Sequence, residues 1–130
     1  MYEKTSQSIN KLDRALARLK EAIDGCKHEI DDLYIDGTLQ RFEFCFELFW
    51  KTLRYALLDN GVDVESPREA LRKAFAIHWI QNEKLWVRML QDRNRARHIY
   101  EEETAREIFG RIPGYYELMM NTLIVIQKMM

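Results

Sequence analysis

Apolar residues recur along this chain at helical spacing, in stretches divided by polar or turn-forming residues. Ile9, Leu12, Leu16, Leu19 and Ile23 alternate steps of three and four, one stripe of a helix whose remaining positions include Lys11, Asp13, Arg14, Arg18, Lys20 and Glu21. Thr5, Ser6 and Ser8 stand at its start as candidate caps, and Gly25 is its expected end or a kink. The stretch 26–32 is polar and carries no clear signature. A second, long helix is predicted over about 33–59, closed by Asn60-Gly61. Leu39, Phe42, Phe46, Phe49, Leu53 and Leu57 make one seam on it; Phe44, Leu48 and Tyr55 make another, with Trp50 alongside. Only Glu43, Glu47, Lys51 and Arg54 interrupt these seams, as a polar strip expected to face solvent. A helix apolar over so much of its circumference is the centre of a bundle or part of a subunit interface.

After a short connector, Ser66-Pro67-Arg68-Glu69 has the form of a helix start, with Ser at the cap, Pro at the first position and Glu at the third. This short helix carries Leu71, Ala74 and Phe75 to about Ile77, and the stretch 78–82 breaks the pattern. A fourth helix begins near Glu83 and presents Leu85, Trp86, Met89 and Leu90; a fifth begins near Glu101-Glu102-Glu103. Gly110 and Pro113-Gly114 predict a kink or break in that last segment. Beyond them Tyr115, Leu118, Met119, Thr122, Val125, Ile126 and Met129 form a final seam. Strand-type alternation, internal repeats and low-complexity tracts are absent from the sequence. The expected architecture is all-α: an antiparallel up-and-down four-helix bundle with one additional short helix, a single domain over 1–130.

Composition supports this reading and narrows the function. Five Gly and two Pro among 130 residues leave little room for turns. Twenty Lys and Arg against twenty-one Asp and Glu give a net charge of −1, so no global field draws the chain to nucleic acid or membrane. The distribution is uneven: from Ser66 to His98 there are eight basic residues against three acidic ones, leaving twelve against eighteen elsewhere. A basic middle with acidic ends suits local anion binding or a complementary dimer. Cys26 and Cys45 lack any C-x-x-C spacing, and no signal-peptide pattern or apolar run of about 18 residues occurs. A cytoplasmic protein with reduced thiols, outside the membrane, is expected.

The candidate chemistry gathers in Asp92-Arg93-Asn94-Arg95-Ala96-Arg97-His98-Ile99-Tyr100. Arg offers a planar fork of donors matched to phosphate oxygens, and His exchanges a proton near neutral pH. On a continuous helix Arg93, Asn94, Arg97 and His98 share roughly one side, yet Arg93 and His98 stand about 140° apart. A helix end or a second subunit is therefore expected to help assemble the site. The plain alternative is a solvated, charged helix face. Against it, the cations follow one another without evident acidic partners, and like charges four residues apart destabilise a helix. His28 reads as an exposed histidine and His78 as packed or capping. The aromatic stripe of the second helix reads as core rather than a stacking platform, and Glu43 with Glu47 as a solvated pair rather than a metal site. Phosphate-binding loops, dinucleotide fingerprints, H-E-x-x-H and G-x-S-x-G are all missing.

Three matches in order then resemble the HEPN family, in its nucleotidyltransferase substrate-binding branch. Residues 42–51 (FEFCFELFWK) look like that branch's second-helix signature. Ser66-Pro67-Arg68 with Ala74-Phe75 look like its third-helix start, and residues 89–94 with His98 and Tyr100 like its R-x4-H-x-Y motif. Arg95 and Arg97 fill variable slots of that motif where relatives often carry smaller polar residues. The resemblance implies a homodimeric bundle encoded beside a minimal nucleotidyltransferase (MNT), often as a toxin–antitoxin pair, and a metal-independent ribonuclease activity with no cofactor. It implies that Arg93 holds the scissile phosphate and Asn94 orients it, while His98 is general acid or base and the RNA 2′-hydroxyl attacks. Tyr100 is the implied site of adenylylation by the partner, and Arg88, Arg95 and Arg97 contribute to an RNA groove. The competing expectation is a non-catalytic subunit that presents a substrate or nucleotide to the nucleotidyltransferase; a third is an interaction bundle whose motif is vestigial.

Overall fold

Five helices carry the chain: α1 (Glu3–Asp24), α2 (Asp32–Asp59), α3 (Pro67–Ala76), α4 (Glu83–Ala96) and α5 (Glu102–Lys128). The computed structural model describes residues 2–25, 31–98 and 101–130, and no strand occurs among them. The all-α expectation holds, with α3 the short extra helix. Cys26, His28 and Tyr100 lie outside the described residues.

Side-chain contacts fix the directions. Thr5 and Ser8 at the start of α1 meet Asp59 and Thr52 near the end of α2, and Arg41 of α2 reaches Arg18 late in α1. The two helices are thus antiparallel. Trp86 of α4 stacks on Phe49 of α2 at 5.1 Å, and later in α4 Arg93 meets Glu47, so α4 is also antiparallel to α2. At the start of α5, Arg106 lies beside Asp32 at the start of α2, and ten residues into α2 Phe42 stacks on Tyr115 at 5.6 Å. Consecutive long helices therefore alternate direction, and α2 runs through the middle. Its stripe Phe42, Phe46, Phe49, Leu53 and Leu57 is fully buried against Leu12, Leu16, Leu19, Trp86, Met89 and Ile108. Burial at this level stabilises by roughly 1.5–3 kcal/mol for each large side chain.

Several local predictions hold for the reasons given. Gly61 adopts φ 81°, and the Val62 and Gly61 amides bond the Leu57 and Leu58 carbonyls, a closed C-terminal motif that an L side chain would strain. The Ser66 hydroxyl accepts from the Glu69 amide at 3.1 Å with Pro67 in the first turn. Glu69 in return accepts from the Glu65 amide rather than from that of Ser66.

Other expectations need correction. The predicted interruption of α5 does not occur: the helix runs unbroken past Gly110, Pro113 and Gly114. All three face solvent, so the carbonyl that Pro113 leaves without a donor can be hydrated, while buried Ile112 and Tyr115 anchor the helix on either side. Thr5 and Ser8 are not caps. Both are buried, and they bond Asp59 and the Thr52 hydroxyl across the α1–α2 seam at 2.5 Å each. The second apolar seam of α2 is incomplete, because Trp50 is buried but Phe44 is exposed. Of the two expectations for His78, packing fails and capping holds: it is exposed, left-handed at φ 67°, and closes α3 with its amide on the Phe75 carbonyl.

A Cβ added at Gly110 or Gly114 meets nothing within 4 Å. The double change Gly110→Ala, Gly114→Ala should therefore raise the unfolding free energy by about 1–2 kcal/mol, through helix propensity alone. Urea denaturation that shows no gain, or a loss, would mean that α5 needs its flexibility at this point.

Candidate functional site

Two adjacent residues of α4 are charged and buried, Asp92 at 1% and Arg93 at 5% exposure. Successive helical positions point about 100° apart, so the two reach different neighbours. Arg93 turns toward α2, where its Nη1 donates to Glu47 Oε2 at 3.0 Å and its guanidinium lies 5.1 Å from the centre of the Phe46 ring. Asp92 turns toward α5. It accepts from Arg111 Nη1 at 3.1 and 2.9 Å and from the Tyr115 hydroxyl at 2.5 Å. That hydrogen bond, with burial as the larger cause, drives the Tyr115 phenol far above its ordinary range, and the same carboxylate raises Arg111.

The helix stops at Ala96, and the His98 amide bonds the Arg95 carbonyl at 3.0 Å in the turn beyond. A helix end thus falls inside the cluster, one of the two arrangements expected for it, and Arg97 and His98 leave the helix that carries Arg93. Arg97 comes round so that its Nη2 lies 3.6 Å from the same Glu47 Oε2, and Lys51 Nζ is 3.5 Å from Oε1. One carboxylate thus faces three cations. One turn earlier on α2, Glu43 is half-buried and its Oε1 has no hydrogen-bond partner among the described residues. Burial raises the Glu43 carboxyl above its usual range, and the charges of Arg97, Arg93 and His98 pull it partly back. Burial likewise lowers Arg93, with Arg97 adding to the effect and Glu47 opposing it.

The structure brings Arg93, Arg97 and His98 together around Glu43 and Glu47. The other anticipated residues lie apart. Asn94 is exposed, and Arg95 pairs with Asp92 at 3.5 Å. Arg88 is exposed and its charge acts on Tyr115, on the α5 side of α4. The cations are not without acidic partners, as the sequence suggested, and Glu43 and Glu47 are not simply solvated. Their placement was missed because both partners lie on another helix; the available signal was two acids one turn apart beside the buried Phe42 and Phe46. Among the described residues no group of three or more His, Cys, Asp and Glu side chains is placed to hold a metal ion. The Cys45 thiol is fully buried and pushed up to about 12, chiefly by burial, so it packs as a hydrophobe. No described helix is long and apolar enough to cross a membrane.

Two outcomes follow. Asp92→Ala should destabilise by about 3–5 kcal/mol, because it strands the Arg111 and Tyr115 groups, whereas Tyr115→Phe should cost roughly 1–2 kcal/mol. Chemical denaturation of both variants checks the order. Because Glu43 has a raised carboxyl, the fold binds its proton more tightly than the unfolded chain does. Its contribution is full below the ordinary carboxylate range and lost as pH rises through the folded value. Glu43→Gln should raise the melting temperature at pH 7 and flatten that part of the stability profile; a melting temperature that falls at pH 7 would contradict it.

Residues 7–128 match the family model described as nucleotidyltransferase substrate binding protein like. A crystal structure of a Thermus thermophilus protein resembles the fold with a TM-score of 0.82 at 34% identity, over 88% of this chain and 98% of that one. A Haemophilus influenzae structure, titled as revealing the fold of a substrate binding domain of a nucleotidyltransferase, has a TM-score of 0.81 at 24% identity, over 92% and 98%. A Haemophilus influenzae protein named "Probable ribonuclease HepT" is 25% identical, over 83% of this chain and 84% of its own length. With the family match over nearly the whole chain and the same helical fold, the chain belongs to the nucleotidyltransferase substrate binding protein-like family, on a HEPN-like fold.

Proposed function

We propose that this protein is a metal-independent endoribonuclease, acting in the cytoplasm as a homodimer and held in check by a nucleotidyltransferase partner. The observation that carries the reading is the buried Arg93 guanidinium, fixed between Phe46 and Glu47, with Arg97 beside it and the exposed His98 in the turn that follows. A cation held in place before substrate arrives stabilises developing phosphoryl charge without reorganising. In the proposed reaction the RNA 2′-oxygen attacks the adjacent phosphorus and loses its proton to a base. The bond to the 5′-oxygen breaks as that oxygen gains a proton, which leaves a 2′,3′-cyclic phosphate. Arg93 stabilises the negative charge that develops on the phosphoryl oxygens, Asn94 helps orient the phosphate, and His98 exchanges a proton. Arg88, Arg95 and Arg97 supply sequence-independent attraction to the backbone.

The relative named as a ribonuclease supports the chemistry, and the relative titled as a nucleotidyltransferase's substrate binding domain supports such a partner. Adenylylation of Tyr100, two positions after His98, would add bulk and negative charge near the cations and silence the site, in the manner of a toxin restrained by its antitoxin. A non-catalytic subunit that presents substrate or nucleotide to that enzyme is the second reading, favoured by the Glu47 carboxylate already occupying a donor of Arg93.

Incubation of the purified, unmodified protein with total RNA in EDTA separates the two. Cleavage with 2′,3′-cyclic phosphate ends is expected, reduced about a hundredfold or more in His98→Ala and in Arg93→Ala. Intact RNA from a dimeric protein with unmodified Tyr100 would leave the binding-subunit reading.

A further inference from the structure

Next to the Arg93 cluster, the outer face of α2 carries a second feature. Phe42, Phe46, Phe49 and Trp50 are buried, but Phe44 is 62% exposed. It borders a groove of about 520 Å3 between α1 and α2, lined also by Ala15, Arg18, Gly37, Gln40 and Arg41. That volume lies within the roughly 300–1,000 Å3 of small-ligand sites. The groove is open partly because Gly37 has no side chain: a Cβ there meets nothing within 4 Å, although glycine weakens a helix relative to alanine.

The walls have a definite chemistry. Arg41 donates from Nη1 to the Arg18 carbonyl at 2.7 Å and stands 3.7 Å from Glu21, which holds its guanidinium at the rim. Arg18 forms no ion pair among the described residues. An exposed ring flanked by two guanidinia and an amide suits a base with its phosphate. The groove shares α2 with the cationic cluster. Phe44 precedes Glu47, the acceptor of Arg93 and Arg97, by three residues, about 4.5 Å along the helix and about 60° around it.

Resting on the ribonuclease reading, we infer that this groove takes an unpaired nucleotide flanking the phosphate held at Arg93. The base stacks on Phe44, and the adjoining phosphate meets Arg41 and Arg18. The protein thereby selects single-stranded RNA. A second copy of the chain fits the groove less well, since the two arginines that line it call for an anionic occupant.

The test is fluorescence anisotropy with a labelled, mixed-sequence 2′-O-methyl oligoribonucleotide of about twelve nucleotides, which lacks the attacking hydroxyl and is not cleaved. Stacking of one base predicts that Phe44→Ala weakens binding about tenfold. Gly37→Leu should weaken it similarly by filling the groove, while its melting temperature stays equal or rises, so that lost affinity is not lost folding. If both variants bind like wild type while Arg93→Ala loses affinity, the groove is overturned and the ribonuclease reading stands. Failure of the wild type to bind overturns both. Equal affinity for a duplex of the same sequence also overturns the groove, because bases stacked inside a duplex have both faces covered by their neighbours and cannot reach Phe44. So does a Phe44→Ala variant that changes oligomeric state in light scattering with unchanged affinity.

Discussion

The roll of α4 about its own axis is set by two opposite charges buried side by side. Asp92 and Arg93 are nearly inaccessible, and a buried charge is tolerated only where a partner and hydrogen bonds compensate it. Asp92 finds its partners on α5, in Arg111 and Tyr115; Arg93 finds Glu47 on α2. Rolling α4 in either direction would strip one of the two while seating the other more deeply. The C-terminal turn of α4 is therefore held in one orientation, and Arg97 and His98 are delivered beside Glu47 and Glu43 as a consequence. The aromatic layer reinforces this constraint. Phe46 lies under Arg93, and Phe42, a neighbour of Phe46 at 6.5 Å, stacks on the Tyr115 that holds Asp92.

What could be read in the sequence is what short-range chemistry decides. The α1 seam, the seam of α2 that runs from Phe42 to Leu57, the Asn60-Gly61 stop and the Ser66-Pro67 start each depend on residues within a turn or two of one another, and each appears where expected. The failures share a different cause. Pro113 and Gly114 are breakers by local rule, but buried residues on both sides carry α5 through them. Thr5 and Ser8 have the chemistry of caps, yet their partners lie 54 and 44 residues away. Glu47 and Arg93 are 46 residues apart, so a one-dimensional view of charge counts the arginine run as lacking acids. The run of cations at the end of α4 stood out by its residue types; the carboxylates that pair with it did not.

Those carboxylates give the site its electrostatic character. Arg93, Arg97 and Lys51 converge on Glu47, and half-buried Glu43 lies one turn away with a carboxyl that burial pushes toward its neutral form. Without Glu47 the three cations would repel one another at a partly desolvated position, and Arg93 would be a buried ion with no partner. On the ribonuclease reading, Glu47 stands where an anionic oxygen of the substrate would be attracted, and it keeps Arg93 extended in a geometry that such an oxygen can use. Stability of the empty site and competition with substrate are then two consequences of one ion pair. The relation also bears on why Arg rather than Lys stands at this position. A guanidinium can leave one nitrogen on Glu47 and still offer donors from the others, whereas an ammonium presents a single compact charge that the carboxylate would largely neutralise.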